Sequence, residues 1–327
     1  MAFMKKILCA LFSVLLLCSL PGCASSAKPE DDRTVLTVDG TKVTYDEFRY
    51  IYLNSKSDLD GGDSSVWENN PELTEKLNAE VIRTLRQNAA VHKMAKKYNI
   101  SLTKDEKKEV EDEIEAFKAS CTDESSYEKA LNEANLSEYA LREMKLLSRL
   151  WSKLYSHVTS EASFIIRADD QALLDDIPKN FLRATQILIK SDPDKSDEEL
   201  RATANEALEK ARQGEDFDAL IKEYGEDPSL TDNPDGYYFT DGELLAYFED
   251  TAKELEIGEI SDVVPCVYGY SIIKRLPLED SYIKKHLEDL RKSFVARSFN
   301  EMLQEYTDQI TYQTTQLYYE LIQNGMS

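Results

Sequence analysis

The chain has 327 residues, of which 39 are lysine or arginine and 62 are aspartate or glutamate, so its formal charge is −23. With 42% apolar residues, 11 glycines and 9 prolines, the composition is globular and allows one large or two ordinary domains. The acidity argues against broad nucleic-acid binding, which draws its affinity from many lysine and arginine contacts with phosphates.

Few residue patterns point to metal or nucleophilic chemistry. The three histidines, His92, His157 and His286, are too few and too scattered for a histidine-rich metal site. The chain contains no HExxH, CxxC, GxxxxGK[ST], GxGxxG or GxSxG motif. We therefore expect no metal and no other cofactor, and the common metalloprotease, P-loop, Rossmann and serine-hydrolase motifs are excluded.

Residues 1–22 have the pattern of a secretory signal, with a basic start and an apolar stretch over residues 7–20. That stretch is short for a bilayer span of about 20 residues. The segment Leu20-Pro21-Gly22-Cys23 resembles the bacterial lipobox, whose cysteine is lipidated and begins the mature chain. We expect a protein held on the extracytoplasmic face of the cell membrane by lipid on Cys23, with residues 23–33 as a flexible tether. An ordinary cleaved signal and an uncleaved anchor remain alternatives.

The first ordered element is predicted to be a β-hairpin. Apolar residues 35–38 and 42–43 flank Asp39-Gly40, a two-residue turn signal. Thr44 then begins a helix, because Glu47 three residues later completes a capping box.

Several amphipathic helices follow the hairpin. Asn70-Pro71 predicts the start of one helix, Thr103 with Glu106 a second, Ser125 with Glu128 a third, and residues 136–155 form a fourth. Their apolar stripes favour packing against neighbouring helices. The alternative is an exposed groove for unfolded polypeptide.

The pattern changes to α+β over residues 181–278. The following elements are predicted there: a strand over 184–190, helices over 197–213 and 217–224, a loop over 225–236, a helix over 244–255, and strands over 263–267 and 270–275.

Helical periodicity returns after residue 278, with one long helix over 283–306 and another over 317–322. The fold class is therefore α+β: a mostly helical domain, residues 34–157 with 280–325, and an inserted domain, residues 180–278, with a small antiparallel sheet flanked by helices. Cys121 and Cys266 fall in different predicted domains, and we expect both to be free thiols.

Four segments of the insert resemble the parvulin-type (PpiC, rotamase) peptidyl-prolyl isomerases. They match in order and at the right intervals, and they are Ala184-Thr185-Gln186-Ile187-Leu188-Ile189, Gly214-Glu215-Asp216-Phe217-Asp218-Ala219-Leu220, Gly258-Glu259-Ile260-Ser261-Asp262-Val263-Val264 and Tyr268-Gly269-Tyr270-Ser271-Ile272-Ile273-Lys274. With its lipobox and flanking helices, the whole chain resembles the PrsA-type foldase lipoproteins and, in the helical part, the SurA-type chaperones.

The resemblance implies a site for the proline ring. Leu244 and Phe248 match the family's apolar positions, and their spacing of four would place both on one helix face. Asp227 matches the family's cysteine or aspartate, while Gln186 and Ser271 stand where the family has histidines. Either apolar residue could instead be core, and Asp227 could simply form the turn before Pro228. Asp235-Gly236 is more simply a turn.

The function that these observations predict is peptidyl-prolyl cis-trans isomerisation during folding of exported proteins, weakened by the absent histidines. The alternative is a non-catalytic holdase of the same fold. The expected partners are unfolded or partly folded exported polypeptides with X-Pro bonds, and the membrane through the lipid anchor. No nucleic acid is expected, and homodimerisation through the helical part is left open.

Overall fold

The computed structural model describes residues 31–61, 63–67, 70–324 and 326. The predicted signal peptide, the predicted lipidation site at Cys23 and most of the predicted tether lie outside these residues. Within the described ranges, no helix combines the length and the apolar character that crossing a membrane requires.

The described chain contains short strands and helices, with six helices in succession between the second and third strands. In chain order the elements are β1 (Thr34–Val38), β2 (Thr41–Thr44), α1 (Tyr45–Asp60), α2 (Pro71–Lys97), α3 (Lys104–Ser120), α4 (Glu124–Glu133), α5 (Glu138–Thr159), α6 (Asp170–Asn180), β3 (Leu182–Lys190), α7 (Asp197–Arg212), α8 (Phe217–Tyr224), β4 (Tyr237–Phe239), α9 (Ala246–Glu254), β5 (Val264–Cys266), β6 (Gly269–Leu276), α10 (Asp280–Lys285), α11 (Leu287–Asp308), β7 (Tyr312–Thr314) and α12 (Gln316–Asn324). Short 3-10 turns cover Ser64–Trp67, Glu161–Ser163 and Pro228–Thr231.

The chain divides into two compact units. Among the described residues, the first, called the helical unit, comprises residues 31–163 with 299–326, and the second, called the α+β unit, comprises Phe164–Ser298.

The helical unit begins with the predicted hairpin. Asp39 and Gly40 both have positive φ, at 48° and 78°, which suits the tight turn joining β1 to β2. The capping box of Thr44 and Glu47 begins α1 as predicted. A strand that the sequence did not indicate, β7, pairs antiparallel with β1, so the sheet order is β2-β1-β7.

Helices α1 and α2 bury the apolar face of this sheet. Phe48, Leu77 and Val81 lie in one cluster with Leu36 of β1 and Tyr318 of α12. A second cluster is shared by α3, α4 and α5, and Tyr127 and Leu141 are fully buried in it.

The predicted start of α4 at Ser125 with Glu128 is wrong. The helix begins at Glu124, because the Asp123 side chain accepts the backbone N–H of Ser126 and the Ser126 hydroxyl accepts the N–H of Asp123. Aspartate caps helices at least as well as serine, so the earlier residue takes the cap position.

The α+β unit contains a four-stranded antiparallel sheet in the order β4-β3-β6-β5. Because side chains alternate along a strand, β3 presents Ile187 and Ile189 to α7 and α8 on one face. On the other face, Ala184 of β3 and Ile273 of β6 pack with Phe248 of α9.

The long helix predicted over residues 283–306 is interrupted at His286. Helix α10 ends there, and the carbonyl of His286 accepts the backbone N–H groups of Asp289 and Leu290, which starts α11. The His286 ring stacks on Tyr282, and Tyr282 stacks on Tyr238 of β4 with ring centroids 3.7 Å apart. These stacking contacts hold His286 outside the regular helix. The apolar periodicity of the sequence does not indicate this break.

Candidate active site

The candidate site lies on the α9 face of the sheet in the α+β unit. Gln186 follows Ala184 by two residues on β3, and Ser271 precedes Ile273 by two on β6, so all four side chains share that face. Gln186 is buried and Ser271 is completely buried. Strand alternation therefore brings these two predicted site residues together.

Asp227 reaches the same place from the loop before the 3-10 turn. Its Oδ1 accepts the backbone N–H of Ser229 at 3.0 Å, so the predicted turn-forming role is present. Its Oδ2 accepts hydrogen bonds from Gln186 Nε2 and from the Tyr237 hydroxyl, both at 2.7 Å. One carboxylate thus caps a turn with one oxygen and enters a side-chain network with the other.

The Gln186 amide extends this network to Ser271 and Tyr247. Its Oε1 accepts the Ser271 hydroxyl at 2.6 Å and the Tyr247 hydroxyl at 3.4 Å. An ionised carboxylate can only accept, so Asp227 requires the amide nitrogen of Gln186 to face it. The amide oxygen of Gln186 then faces the two hydroxyl donors, those of Ser271 and Tyr247. Gln186 therefore accepts hydrogen bonds at its oxygen and donates one from its nitrogen to Asp227.

Tyr237 and Tyr247 were missed by the sequence reasoning. Both rings are half-buried beside Phe248, at centroid distances of 5.5 Å and 6.4 Å, in edge-to-face arrangements. Alternation along Tyr237-Tyr238-Phe239 is the signal that could have found Tyr237, because Phe239 packs on the same face. Tyr247 had no such signal beyond its place next to Phe248.

Both phenols are held in the neutral form. Burial raises the pKa of Tyr237 above its usual value, and the Asp227 carboxylate adds to that effect. Burial also raises the pKa of Tyr247, and the neighbouring Cys266 thiol adds to that effect. Cys266 and Cys121 are free thiols.

The predicted apolar pair is arranged differently from the expectation. Leu244 is not on the helix, because α9 begins at Ala246. The buried carboxylate of Glu249 accepts the backbone N–H groups of Gly242 and Leu244 at 3.0 and 2.7 Å, which holds the preceding residues as a loop. The prediction that Leu244 and Phe248 lie on one helix face is therefore wrong.

Phe248 is only 3% exposed and forms part of the core with Phe239 and Ala252. Leu244, Tyr237 and Tyr247 are half-buried and pack against that cluster. The side chains packed against this cluster that remain partly open to solvent are thus two leucines, Leu182 and Leu244, and these two tyrosines.

The predicted turn at Asp235-Gly236 is confirmed, since Gly236 has a φ of 80°. A side chain there would also collide with the sheet, because a Cβ on Gly236 would lie 2.8 Å from the carbonyl oxygen of Ala184. In the part of the chain that the structure describes, no three His, Cys, Asp or Glu side chains are grouped so as to hold a metal ion.

Chemically, the arrangement offers an apolar and aromatic surface above a polar floor that contains one carboxylate and no histidine. Such a site can exclude water from a bound group and present fixed dipoles to it. It has no activated nucleophile, since the Ser271 hydroxyl donates to an amide oxygen and not to a base.

Comparison with known families and proteins gives two domain matches. Residues 187–276 match the PPIC-type PPIASE domain, and residues 2–154 match the SurA-like N-terminal domain. The first match contains Asp227, Leu244, Phe248 and Ser271, and begins one residue after Gln186.

The similar relatives are foldases. The chain is 33% identical over 227 residues to the foldase protein PrsA of Geobacillus sp. (strain WCH70), covering 68% of this chain and 70% of the relative. It is 28% identical over 277 residues to that of Caldanaerobacter subterraneus subsp. tengcongensis, covering 83% and 82%. The crystal structure of foldase protein PrsA from Streptococcus pneumoniae has 20% identity and a TM-score of 0.34, covering 79% of this chain and 94% of that one.

Proposed function

Because the chain belongs to the PrsA foldase family and carries a PPIC-type peptidyl-prolyl isomerase domain, we propose that its histidine-free site catalyses X-Pro isomerisation in exported polypeptides. The proteins of this family are foldases that act outside the cytoplasm. Residues 180–278 would carry the catalysis, and residues 34–157 with 280–325 would form the chaperone body that holds the client.

The reaction needs no bond to be broken. Rotation about an X-Pro bond crosses a barrier of roughly 18–20 kcal/mol, because the planar amide loses its resonance on twisting. Taking the amide out of water favours the less polar twisted form over the two planar forms. Leu244 and the rings of Tyr237 and Tyr247 supply the surface that would dry the proline ring, with Phe248 supporting them from the core.

The observation that carries the proposal is the hydrogen-bonded network of Asp227, Gln186 and Ser271 within the matched domain. It occupies the floor of the site with every donor directed to an acceptor. The dipoles of a fixed network are oriented before the substrate binds. Twisting the X-Pro amide of the substrate therefore requires little reorganisation of the site. Neither Gln186 nor Ser271 titrates near neutral pH, so neither side chain changes its charge over that range.

A refolding assay tests this function. The client is a denatured protein whose slow refolding phase is limited by X-Pro isomerisation. The purified chain should shorten that phase, and Asp227→Asn should reduce the acceleration about tenfold, equivalent to ~1.4 kcal/mol in the barrier. The reason is that an Asn amide would set N–H groups against Gln186 or Tyr237. Asp232→Asn, an exposed aspartate after the same 3-10 turn, is the matched control.

The burial of Phe248 and the absence of histidine from residues 181–278 favour a second candidate, a holdase without catalysis. A holdase would suppress client aggregation at stoichiometric concentrations and leave the slow refolding phase unchanged. If the parent chain suppresses aggregation but leaves the slow refolding phase unchanged, the holdase is the better description.

The membrane attachment belongs to the same proposal. Lipid on Cys23 would hold the protein at the outer face of the membrane, and more than one acyl chain is needed for a stable anchor. The mature chain should partition with membranes, and Cys23→Ala should release it into the medium. A mature protein that does not partition with membranes would contradict lipid anchoring. If the helical part dimerises, the detergent-solubilised protein should have the mass of two chains.

A further inference from the structure

Three aromatic rings stack behind the strand that carries Tyr237. Tyr238 of β4 stacks on Tyr282 of α10 with ring centroids 3.7 Å apart and ring planes 4° from parallel. Tyr282 in turn stacks on His286, four residues later, at 4.1 Å and 20°. Because side chains alternate along a strand, Tyr238 points away from the sheet face that Tyr237 and Phe239 share. We call Tyr238, Tyr282 and His286 the aromatic stack.

Arg183 holds the same part of β4 from the neighbouring strand. It is buried and pairs with Tyr238 across the β3–β4 ladder, and its guanidinium carbon lies 5.2 Å from the centroid of the Tyr238 ring. Its Nε donates to the carbonyl oxygen of Asp235 at 2.7 Å and its Nη1 to that of Pro277 at 3.1 Å. The same guanidinium forms an ion pair with Glu279. One side chain thus ties the residues before β4 to the residues before α10.

The position of β4 decides the position of the Tyr237 hydroxyl. This strand has three residues, lies at the sheet edge and pairs with β3 alone. The Tyr237 hydroxyl donates to Oδ2 of Asp227 at 2.7 Å, and a hydrogen bond weakens steeply when donor and acceptor are misaligned. A small shift of the edge strand would therefore take this donor away from the carboxylate. The aromatic stack opposes such a shift, because it attaches the next residue, Tyr238, to α10.

Helix α10 is a fixed attachment for the stack. Ile283 is buried, and its N–H donates to the carbonyl oxygen of Glu279 at 3.0 Å. The N–H of His286 donates to the carbonyl oxygen of Tyr282 at 2.9 Å, and the carbonyl of His286 begins α11. Tyr282 therefore presents its ring to β4 from ordered backbone.

We propose that Tyr282 is a positioning residue for the isomerase site: its ring holds β4 in place and so keeps the Tyr237 hydroxyl on Asp227. The inference rests on the proposed function, because it gives that hydrogen bond a part in catalysis. Tyr282 acts through Tyr238 and not on the substrate. Since Tyr282 is half-buried and an aromatic pair contributes only modestly to stability, the chain should fold without this ring.

A double-mutant cycle on the full-length chain tests the connection between Tyr282 and Tyr237. Tyr237→Phe removes a hydrogen bond to a carboxylate and should lower kcat/KM for a proline peptide about tenfold. Tyr282→Ala should lower it about fivefold, while Tyr282→Phe, which keeps the ring, should stay within about twofold of the parent. In the double variant, Tyr282→Ala should add less than about twofold to the loss caused by Tyr237→Phe. Phe164→Ala, at an aromatic residue of the α+β unit that is 80% exposed, is the matched control and should keep the parent's kcat/KM.

Fluorine NMR of protein labelled with 3-fluorotyrosine gives a readout that does not depend on activity. The Tyr237 resonance is the one that disappears in Tyr237→Phe, and Asp227→Asn shows where it lies once the carboxylate is lost. In Tyr282→Ala this resonance should move from the parent position toward the Asp227→Asn position. Tyr282→Leu keeps apolar volume without a flat ring, so it should act like Tyr282→Ala and replaces it if the alanine variant does not fold.

Failure of the positioning role differs from failure of the isomerase. A folded Tyr282→Ala protein that keeps the parent's Tyr237 resonance and kcat/KM would overturn the positioning role and leave catalysis intact. Losses that multiply in the double variant would also overturn it, because Tyr282 would then act independently of Tyr237. If the parent does not accelerate isomerisation but the Tyr237 resonance moves in Tyr282→Ala, the result supports the positioning of Tyr237 and contradicts catalysis.

Discussion

Gln186 donates a hydrogen bond from Nε2 to Oδ2 of Asp227 across 2.7 Å, although 41 residues separate them in the chain. This contact sets the orientation of the Gln186 amide and, through it, the direction in which the Ser271 and Tyr247 hydroxyls donate. The network is thus organised by one carboxylate, and its members are expected to respond together to substitution.

Replacing Gln186 by leucine should lower both stability and rate. The variant leaves the Ser271 hydroxyl buried without its acceptor, which costs about 1–3 kcal/mol, and removes one donor to Asp227. Chemical denaturation and isomerisation rates measure the two effects. Gln171→Leu is the control, since Gln171 also donates to an aspartate but is exposed. A Gln186→Leu protein as stable and as fast as the parent would mean that the network contributes to neither stability nor catalysis.

Phe248→Ala should act mainly on stability. Phe248 is packed among Phe239, Ala252 and Ile273, and removing a buried phenylalanine ring leaves a cavity that costs about 3–5 kcal/mol. We expect a large drop in the free energy of unfolding, with Ile257→Ala changing it little because Ile257 is exposed. If Phe248→Ala leaves stability intact and only weakens peptide binding, Phe248 contacts the proline directly and the tyrosine-lined surface is wrong.

Glu249 is expected to control the loop that carries Leu244. Its buried carboxylate accepts two backbone N–H groups of that loop, so Glu249→Ala leaves both donors without a partner. The expected outcome is a stability loss of about 2–3 kcal/mol and a raised KM for proline peptides. Asp250→Ala, at the exposed neighbouring position, should change neither quantity. Faster amide hydrogen exchange at Gly242 and Leu244 would locate the effect in the loop.

The pH dependence of the reaction should be flat from about pH 6 to pH 9, because no histidine lies in residues 181–278. Tyr237 and Tyr247 have pKa values raised by burial, so they remain neutral when the tyrosines of the unfolded chain ionise near pH 10. Their contribution to stability is complete below that pH and is lost as the pH rises through their folded-state pKa values. Rates across this range and thermal unfolding midpoints up to about pH 11 check both statements. An inflection in the rate near pH 6.5 would implicate a histidine from elsewhere in the chain.

Local sequence rules predicted much of the fold. The Asp39-Gly40 turn, the capping boxes at Thr44 and Thr103, and strand β3 follow from residues close together in the chain, and the structure has all of them. The three-residue strands β4 and β7 were not predicted. Their pairing is decided by partners far away, as when Thr314 pairs with Leu36.

The candidate site was predictable where strand alternation and family resemblance agree, as for Gln186 and Ser271. The site was not predictable where a side chain accepts a hydrogen bond from the backbone of a preceding loop. The Glu249 carboxylate satisfies the N–H of Leu244 and so delays the start of α9, and no spacing rule indicates that contact. Tyr247 also has no periodic signal, because its hydrogen-bond partner Gln186 lies on a strand 61 residues earlier in the chain.

The most direct test of the account is the exchange rate between the cis and trans forms of a proline peptide, measured by NMR at pH 7 with catalytic amounts of the full-length chain. The exchange rate should be at least about tenfold above that of the peptide alone, reduced in Gln186→Leu and retained in Gln171→Leu. An exchange rate equal to that of the free peptide, from a folded protein that still binds it, would contradict catalysis by the Asp227 network.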